Sequence, residues 1–172
     1  MRPTPPFNLQ QWIEAHRHAL VPPVANRQVY PAGDFVFMVV GGPNARRDYH
    51  VDPGAEFFYQ LEGTLTLRTM QDGAPVDYAV GPGEVFLLPP FMPHSPQRPA
   101  GSVGLVIERR RLPGELDGFR WYCPSCHAQL YEEYFVLENI ETQFPPVFAR
   151  FHSNLAARTC RSCATVLDVP AP

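Results

Sequence analysis

The chain contains no lysine: all 14 of its basic residues are arginine. Schiff-base amine chemistry and the lysine of a phosphate-binding P-loop are therefore excluded, while forked recognition of a carboxylate remains open. Charge is scarce, at 18% of 172 residues, and the net value of −3 leaves no basic excess to neutralise nucleic-acid phosphates. No apolar run reaches the ~18 residues of a membrane span. The opening Met1-Arg2-Pro3-Thr4-Pro5-Pro6 also lacks the apolar stretch of a secretory signal. The expectation is a cytoplasmic protein without nucleic-acid or membrane partners. In that compartment its four cysteines stay reduced and are better read as metal ligands than as disulfides.

Proline is abundant instead, with 21 residues beside 12 glycines, which favours turns and short extended segments over long helices. The length suits one domain, or one domain with a small appendage. Asn8 is placed to cap a short helix running to about Leu20 and stopped by Pro22-Pro23. Between Asn26 and Arg111, short β-rich runs at 35–40, 56–61, 64–69, 76–80, 85–88 and 103–107 alternate with turn residues, and Asp72-Gly73 marks a hairpin. This predicts an all-β sandwich or barrel of antiparallel strands. Past Gly114 the alternation fades and all four cysteines appear, so the expected division is a barrel over 1–114 and an extension over 115–172, with a helix or strand around 131–141.

The polar residues that promise chemistry fall in two stretches. His50 and Glu56 flank the turn Asp52-Pro53-Gly54, so two strands meeting there would set imidazole and carboxylate side by side on one inner face. His94 lies in a proline-stiffened segment after a hydrophobic strand. Two histidines and a carboxylate make a facial triad that holds non-haem Fe(II) and leaves the opposite positions open. A lone histidine beside a strand is ordinarily a surface or hydrogen-bonded residue; only the three together carry the reading.

Gly42, Asp48, His50, Glu56 and Gly63 fall on the places of the first cupin motif, with Asp48 where its leading histidine stands. Gly83, Pro89 and His94 fall on the second, with Phe91 and Arg98 in place of its glycine and asparagine. The strings at 22–29, 41–50, 56–60, 86–90, 94–99 and 106–109 resemble the 3-hydroxyanthranilate 3,4-dioxygenase family over almost the whole chain. That resemblance implies a cupin jelly-roll barrel with a short N-terminal helix and a metal-clamped C-terminal extension, assembled as a homodimer. It implies catalytic Fe(II) on His50, Glu56 and His94, chelated by substrate through a ring hydroxyl and amine. Dioxygen would open the ring between carbons 3 and 4, giving 2-amino-3-carboxymuconate semialdehyde, which closes to the NAD precursor quinolinate in tryptophan breakdown.

The resemblance also assigns Arg46 to bound oxygen and Arg98 and Glu108 to substrate, with Glu56 among the substrate contacts. The chemistry agrees: an anionic substrate carboxylate wants a fixed guanidinium, and Arg98 follows His94 by four residues as Arg46 precedes His50 by four. Glu108 borders Arg109-Arg110-Arg111, so an ordinary surface ion pair competes with that role. Phe57, Phe58 and Tyr59 read as core, and Asn26 as a residue that orients a lid loop. Ala55 stands where the family usually carries an acid beside the ligand.

Cys123-Pro124-Ser125-Cys126 and Cys160-Arg161-Ser162-Cys163 have the spacing of a four-thiolate site for zinc or a rubredoxin-like iron, with His127 and Ala164 where such knuckles usually carry glycine. Its expected role is to pin the tail. Three other readings stay open at this level: a cupin oxygenase for a different o-aminophenol or catechol, a metal-stabilised binding module, and an electron carrier built on the cysteines.

Overall fold

The computed structural model describes residues 4–22, 25–44 and 46–169. Met1–Pro3, Pro23, Val24 and Ala45 of the segments discussed above lie outside the described residues. Asn8 accepts the Gln11 N–H at 3.0 Å and opens helix α1 (Leu9–His16), which a 3₁₀ turn at Arg17–Ala19 ends sooner than expected. Ile13 and Leu20 dock this segment on Val39 and Val103.

Eleven strands follow among the described residues: β1 (Asn26–Gln28), β2 (Phe35–Gly41), β3 (Tyr49–Val51), β4 (Glu56–Glu62), β5 (Leu65–Gln71), β6 (Ala74–Val80), β7 (Val85–Leu88), β8 (His94–Gln97), β9 (Val103–Arg109), β10 (Asp117–Tyr122) and β11 (Gln129–Phe135). They form two sheets, ordered β1-β2-β9-β4-β7 and β11-β10-β3-β8-β5-β6, and every pairing is antiparallel. Within them, β2-β9-β4-β7 faces β3-β8-β5-β6, the strand order of a jelly roll. The chain passes between sheets at nearly every turn, so residues close in sequence end on opposite walls of one interior. The β5–β6 hairpin stays within a sheet; Asp72 (φ 49°) and Gly73 (φ 80°) both take the left-handed conformation its two-residue turn requires.

Period-two alternation builds the interior. In β4, Glu56, Phe58 and Gln60 are buried while Phe57 and Tyr59 are half-buried on the outer face, so of the three aromatics only Phe58 joins the barrel core. That core comprises Phe58, Leu65, Leu67, Val80, Leu88 and Val106.

Beyond Gly114 the chain lengthens the second sheet. β10 pairs with β3, β11 pairs with β10, and helix α2 (Ile140–Ser153) packs on them, followed by α3 (Leu155–Arg158). Phe144, Val147, Phe148 and Phe151 recur at helical spacing and seal a second core with Phe119, Trp121 and Leu167. Burial of that apolar face outweighs the cost of Pro145 and Pro146 inside the helix. Among the described residues, no helix is long and apolar enough to cross a membrane.

Candidate metal centre

His50 and His94 are register partners between β3 and β8, with ring centroids 5.4 Å apart. Glu56 opens β4 in the opposite sheet and faces them across the interior. Its strand partners are Leu88 and Glu108, so the Asp52-Pro53-Gly54 turn is not a hairpin joining His50 to Glu56; it carries the chain from one wall to the other. Glu56 Oε1 lies 3.0 Å from His94 Nε2 and 3.6 Å from His50 Nδ1. Donor atoms of the three side chains fall within 4.8 Å of one another, and all three residues are buried.

Each imidazole is tied at its other nitrogen. His94 Nδ1 lies 3.0 Å from the Met92 carbonyl and His50 Nε2 lies 2.8 Å from Asp117 Oδ1. Both rings thereby turn their remaining nitrogen toward Glu56, the usual arrangement around metal-binding histidines. Glu56 Oε1 is buried without a hydrogen-bond partner although two ring nitrogens stand near it. A buried acceptor is seldom left so, and a cation among these atoms satisfies it. Two imidazoles and one carboxylate suit Fe(II) among the first-row metals. The donor set and the orphaned oxygen therefore fit a bound divalent ion.

The electrostatics are those of a cation site. Burial works against charge on His50, but the Asp117 and Glu56 carboxylates outweigh it and raise its pKa to about 10. Burial likewise opposes charge on Glu56, yet His94 and His50 hold it far below the carboxylate range. Glu108 sits directly opposite Glu56 across β4–β9; burial first, then repulsion from Glu56, push it up to about 8. Arg111, rather than Arg98, is its ion-pair partner, at 3.1 Å.

The two arginines differ in their partners. Arg46 pairs with Asp48 and lies 5.9 Å from the Phe119 ring centre. Asp48, standing where the cupin motif carries its first histidine, is thus engaged by a guanidinium. Arg98 is 3% exposed, with Gln60 Oε1 at 3.4 Å and no carboxylate within ion-pair distance among the described residues. Burial, then repulsion from Arg46, lower its pKa to about 10. Gly104 leaves room for it, since a Cβ there would come within 2.9 Å of Arg98 Nη1.

A cavity of about 480 Å³ opens beside Glu108, walled by Asn26, Gln28, Met38, Arg111 and the 137–140 segment that leads into α2. Asn26 and the 137–140 segment border this cavity together; neither Arg46 nor Arg98 lines it. Sequence reasoning missed Asp117, Arg111 and Asp52. Arg111 looked like one of three surface arginines, yet its side chain is only 7% exposed and lies 2.9 Å from Asp52 Oδ2 and 2.5 Å from Asp117 Oδ1. The available signal was an acid, Asp117, opening an aromatic run, Asp117-Gly118-Phe119-Arg120-Trp121.

The four cysteines form a second cluster. Cys123 and Cys163 Sγ are 3.5 Å apart, as are Cys126 and Cys160 Sγ, and all four fall within 4.8 Å. The two knuckles repeat one backbone pattern: His127 N–H donates to the Cys123 carbonyl and Ala164 N–H to that of Cys160. His127 (φ 59°) and Ala164 (φ 60°) adopt the left-handed conformation that glycine usually supplies, at a cost of ~1–2 kcal/mol each. The departure from the glycine pattern therefore leaves the knuckle backbone intact.

The family model for 3-hydroxyanthranilic acid dioxygenase matches residues 1–152. The chain is 58% identical over 166 residues to a 3-hydroxyanthranilate 3,4-dioxygenase of Xanthomonas campestris pv. campestris (strain B100), covering 96% of this chain and 94% of the relative. It is 49% identical over 161 residues to the enzyme of that name from Jannaschia sp. (strain CCS1), covering 93% and 89%. Among solved structures, a cupin-2 domain containing protein from Shewanella frigidimarina NCIMB 400 aligns with a TM-score of 0.48 and 18% identity, over 61% of this chain and 94% of that one.

Proposed function

The chain belongs to the 3-hydroxyanthranilic acid dioxygenase family, and we propose that it opens the ring of 3-hydroxyanthranilate with O2 at His50, Glu56 and His94, giving 2-amino-3-carboxymuconate semialdehyde. The observation that carries this reading is the convergence of those three side chains, drawn from two sheets, within 4.8 Å. Fe(II) held there supplies the redox chemistry that activates O2 toward an electron-rich ring.

The chain's own residues do the rest. Arg98 offers a buried guanidinium without an anionic partner among the described residues, and the substrate carboxylate supplies one. Glu108, whose pKa burial and the neighbouring Glu56 raise to about 8, is the group assigned to exchange a proton with the substrate hydroxyl. Arg46 keeps positive charge close to the centre, where it stabilises negative charge developing on oxygen. The aromatic wall of Phe119 and Phe144, whose rings lie 5.3 and 5.5 Å from His50, excludes water. The reading includes a homodimer, supported by Val85 and Leu87, exposed together on the outer face of edge strand β7. It also includes a cytoplasmic location and iron or zinc at the four thiolates.

The test is direct. Iron-loaded protein supplied with 3-hydroxyanthranilate should consume O2 mole for mole and build up the near-ultraviolet absorbance of the muconate product. Binding of the aromatic acid with no oxygen uptake would make the protein a binding module instead. Turnover of an o-aminophenol or catechol in preference to 3-hydroxyanthranilate would reassign the substrate.

Arg98→Met separates recognition from stability. Losing a charge-assisted hydrogen bond of ~1.5–3 kcal/mol should lower kcat/KM about 10- to 150-fold, mostly through KM. Removing an unpaired buried charge should at the same time raise Tm. Calorimetry and steady-state kinetics on the same preparation check both signs; a variant less stable than wild type with unchanged KM would remove Arg98 from the substrate site.

A further inference from the structure

We propose that Asp117, gripped by Arg111, is a positioning residue that holds His50 in the tautomer able to bind metal through Nδ1. The proposal rests on the reading of His50, Glu56 and His94 as a metal centre and concerns a strand outside the eight-stranded jelly roll. β10 joins the second sheet beside β3, pairing Phe119 with His50 and Gly118 with Val51. This places Asp117 at the far side of the His50 ring, fully buried, with Oδ1 2.8 Å from Nε2.

The carboxylate cannot turn away. Arg111 Nε donates to Asp117 Oδ2 at 2.7 Å and Nη2 donates to Oδ1 at 2.5 Å, a two-pronged grip. Arg111 is itself fixed by Asp52 at 2.9 Å and Glu108 at 3.1 Å. Oδ1 therefore accepts from both His50 and Arg111, and a carboxylate is the group of this size with an acceptor at every position. An acceptor opposite Nε2 requires the proton there, which leaves the Nδ1 lone pair facing Glu56. The Phe119 ring, 5.3 Å from the imidazole, restricts its tilt.

Asp117→Asn keeps the shape and defeats this logic. With its oxygen toward His50, the amide nitrogen meets the Arg111 Nε–H, donor against donor. With the nitrogen toward His50, it donates to Nε2, drives the proton to Nδ1 and blocks the metal lone pair. The strand is closely packed here, since the Tyr134 ring covers Gly118 where a Cβ would lie 2.4 Å from it.

Mn(II) is the probe, since it prefers imidazole and carboxylate to thiolate and so reports the first centre and not the cysteines. Titration followed by electron paramagnetic resonance should show Asp117→Asn binding Mn(II) about 10- to 100-fold more weakly than wild type. The Co(II)–thiolate charge-transfer bands of the cysteine site should be unchanged. In the zinc-loaded wild type, 15N NMR should find the His50 proton on Nε2. Arg111→Lys, which keeps the buried charge but loosens the grip, should weaken Mn(II) in the same direction by less, and it carries the test if Asp117→Asn fails to fold. Unchanged Mn(II) affinity in a folded variant overturns the proposal, as does equal loss at both sites, which would make Asp117 merely structural. If wild type binds Mn(II) no better than His94→Ala, the metal-centre reading itself fails; that result is separable because it does not involve Asp117.

Discussion

Glu56→Gln is expected to abolish ring cleavage and to weaken the first metal centre by more than the ~10- to 100-fold that loss of an outer hydrogen-bond partner costs. The substitution keeps the shape of the side chain and removes the only anionic ligand of the three. Glu56 has neighbours of both signs: His94 and His50 hold it in its charged form, while the Asp52 and Glu108 carboxylates lie within 4.8 Å of it. Its removal relieves the repulsion that, after burial, pushes Glu108 to about 8. The effect has a sign in metal-stripped protein. Glu108 in wild type binds its proton more tightly folded than unfolded, where its ordinary value is 4.5, so its contribution to stability is lost as pH rises from about 4.5 to 8. His50, raised from 6.5 to about 10 by Asp117 and Glu56 against the pull of burial, adds a second loss over that higher window. With Glu56 gone both shifts shrink, so the stability of Glu56→Gln should fall less steeply between pH 5 and pH 9 than that of wild type. Denaturant midpoints across that range check the slope, and oxygen uptake checks the activity. A variant that keeps metal and turnover would remove Glu56 from the ligand set.

Much of the barrel could be read from the sequence because its strands advertise themselves. β2, β4, β5, β6, β7 and β9 carry apolar alternation between Gly and Pro turns, and each lies within a few residues of its expected place. β3 and β8 could not be read that way. Tyr49–Val51 and His94–Gln97 are short, and their inward positions hold histidine in place of aliphatic residues, since these strands exist to present ligands. Chemistry was legible where pattern was not: His50, Glu56 and His94 stand out by type, though the wall on which Glu56 lies depends on which turns cross between sheets. Arg111 and Asp117 were invisible for the opposite reason. Nothing local separates an arginine whose side chain is buried from its neighbours Arg109 and Arg110, and that burial is imposed by Asp52, Glu108 and Asp117 from three other stretches of the chain. In α2 the helical spacing of Phe144, Val147, Phe148 and Phe151 was present but masked by Pro145-Pro146, a case of long-range packing overriding local preference.

Cys160→Ser is expected to cost stability and spare the chemistry of the first centre. Cys160 is buried, and its sulfur lies 3.5 Å from that of Cys126 across the two knuckles. A serine hydroxyl is a poor ligand, so the fourth position is lost and the knuckles at 123–128 and 160–165 are no longer tied together. What they tie is specific. Cys123 follows β10 directly, and Leu167, shortly after Cys163, closes the aromatic core of Phe119, Trp121, Val147 and Phe151. Loss of a structural metal belongs with the rare substitutions that cost more than ~4 kcal/mol, which in a chain of this size lowers Tm by about 8–16 °C. The same strand links the two centres: Phe119 faces His50 four residues before Cys123. Local loosening there should therefore appear first as weaker retention of the catalytic metal on warming, while turnover per bound metal holds at lower temperature. Anomalous diffraction at the iron and zinc edges identifies the lost ion, and metal-normalised kcat makes the comparison. A Cys160→Ser protein that melts like wild type, keeps both metals and yet turns nothing over would show that the thiolate centre takes part in the reaction and does not merely hold the tail.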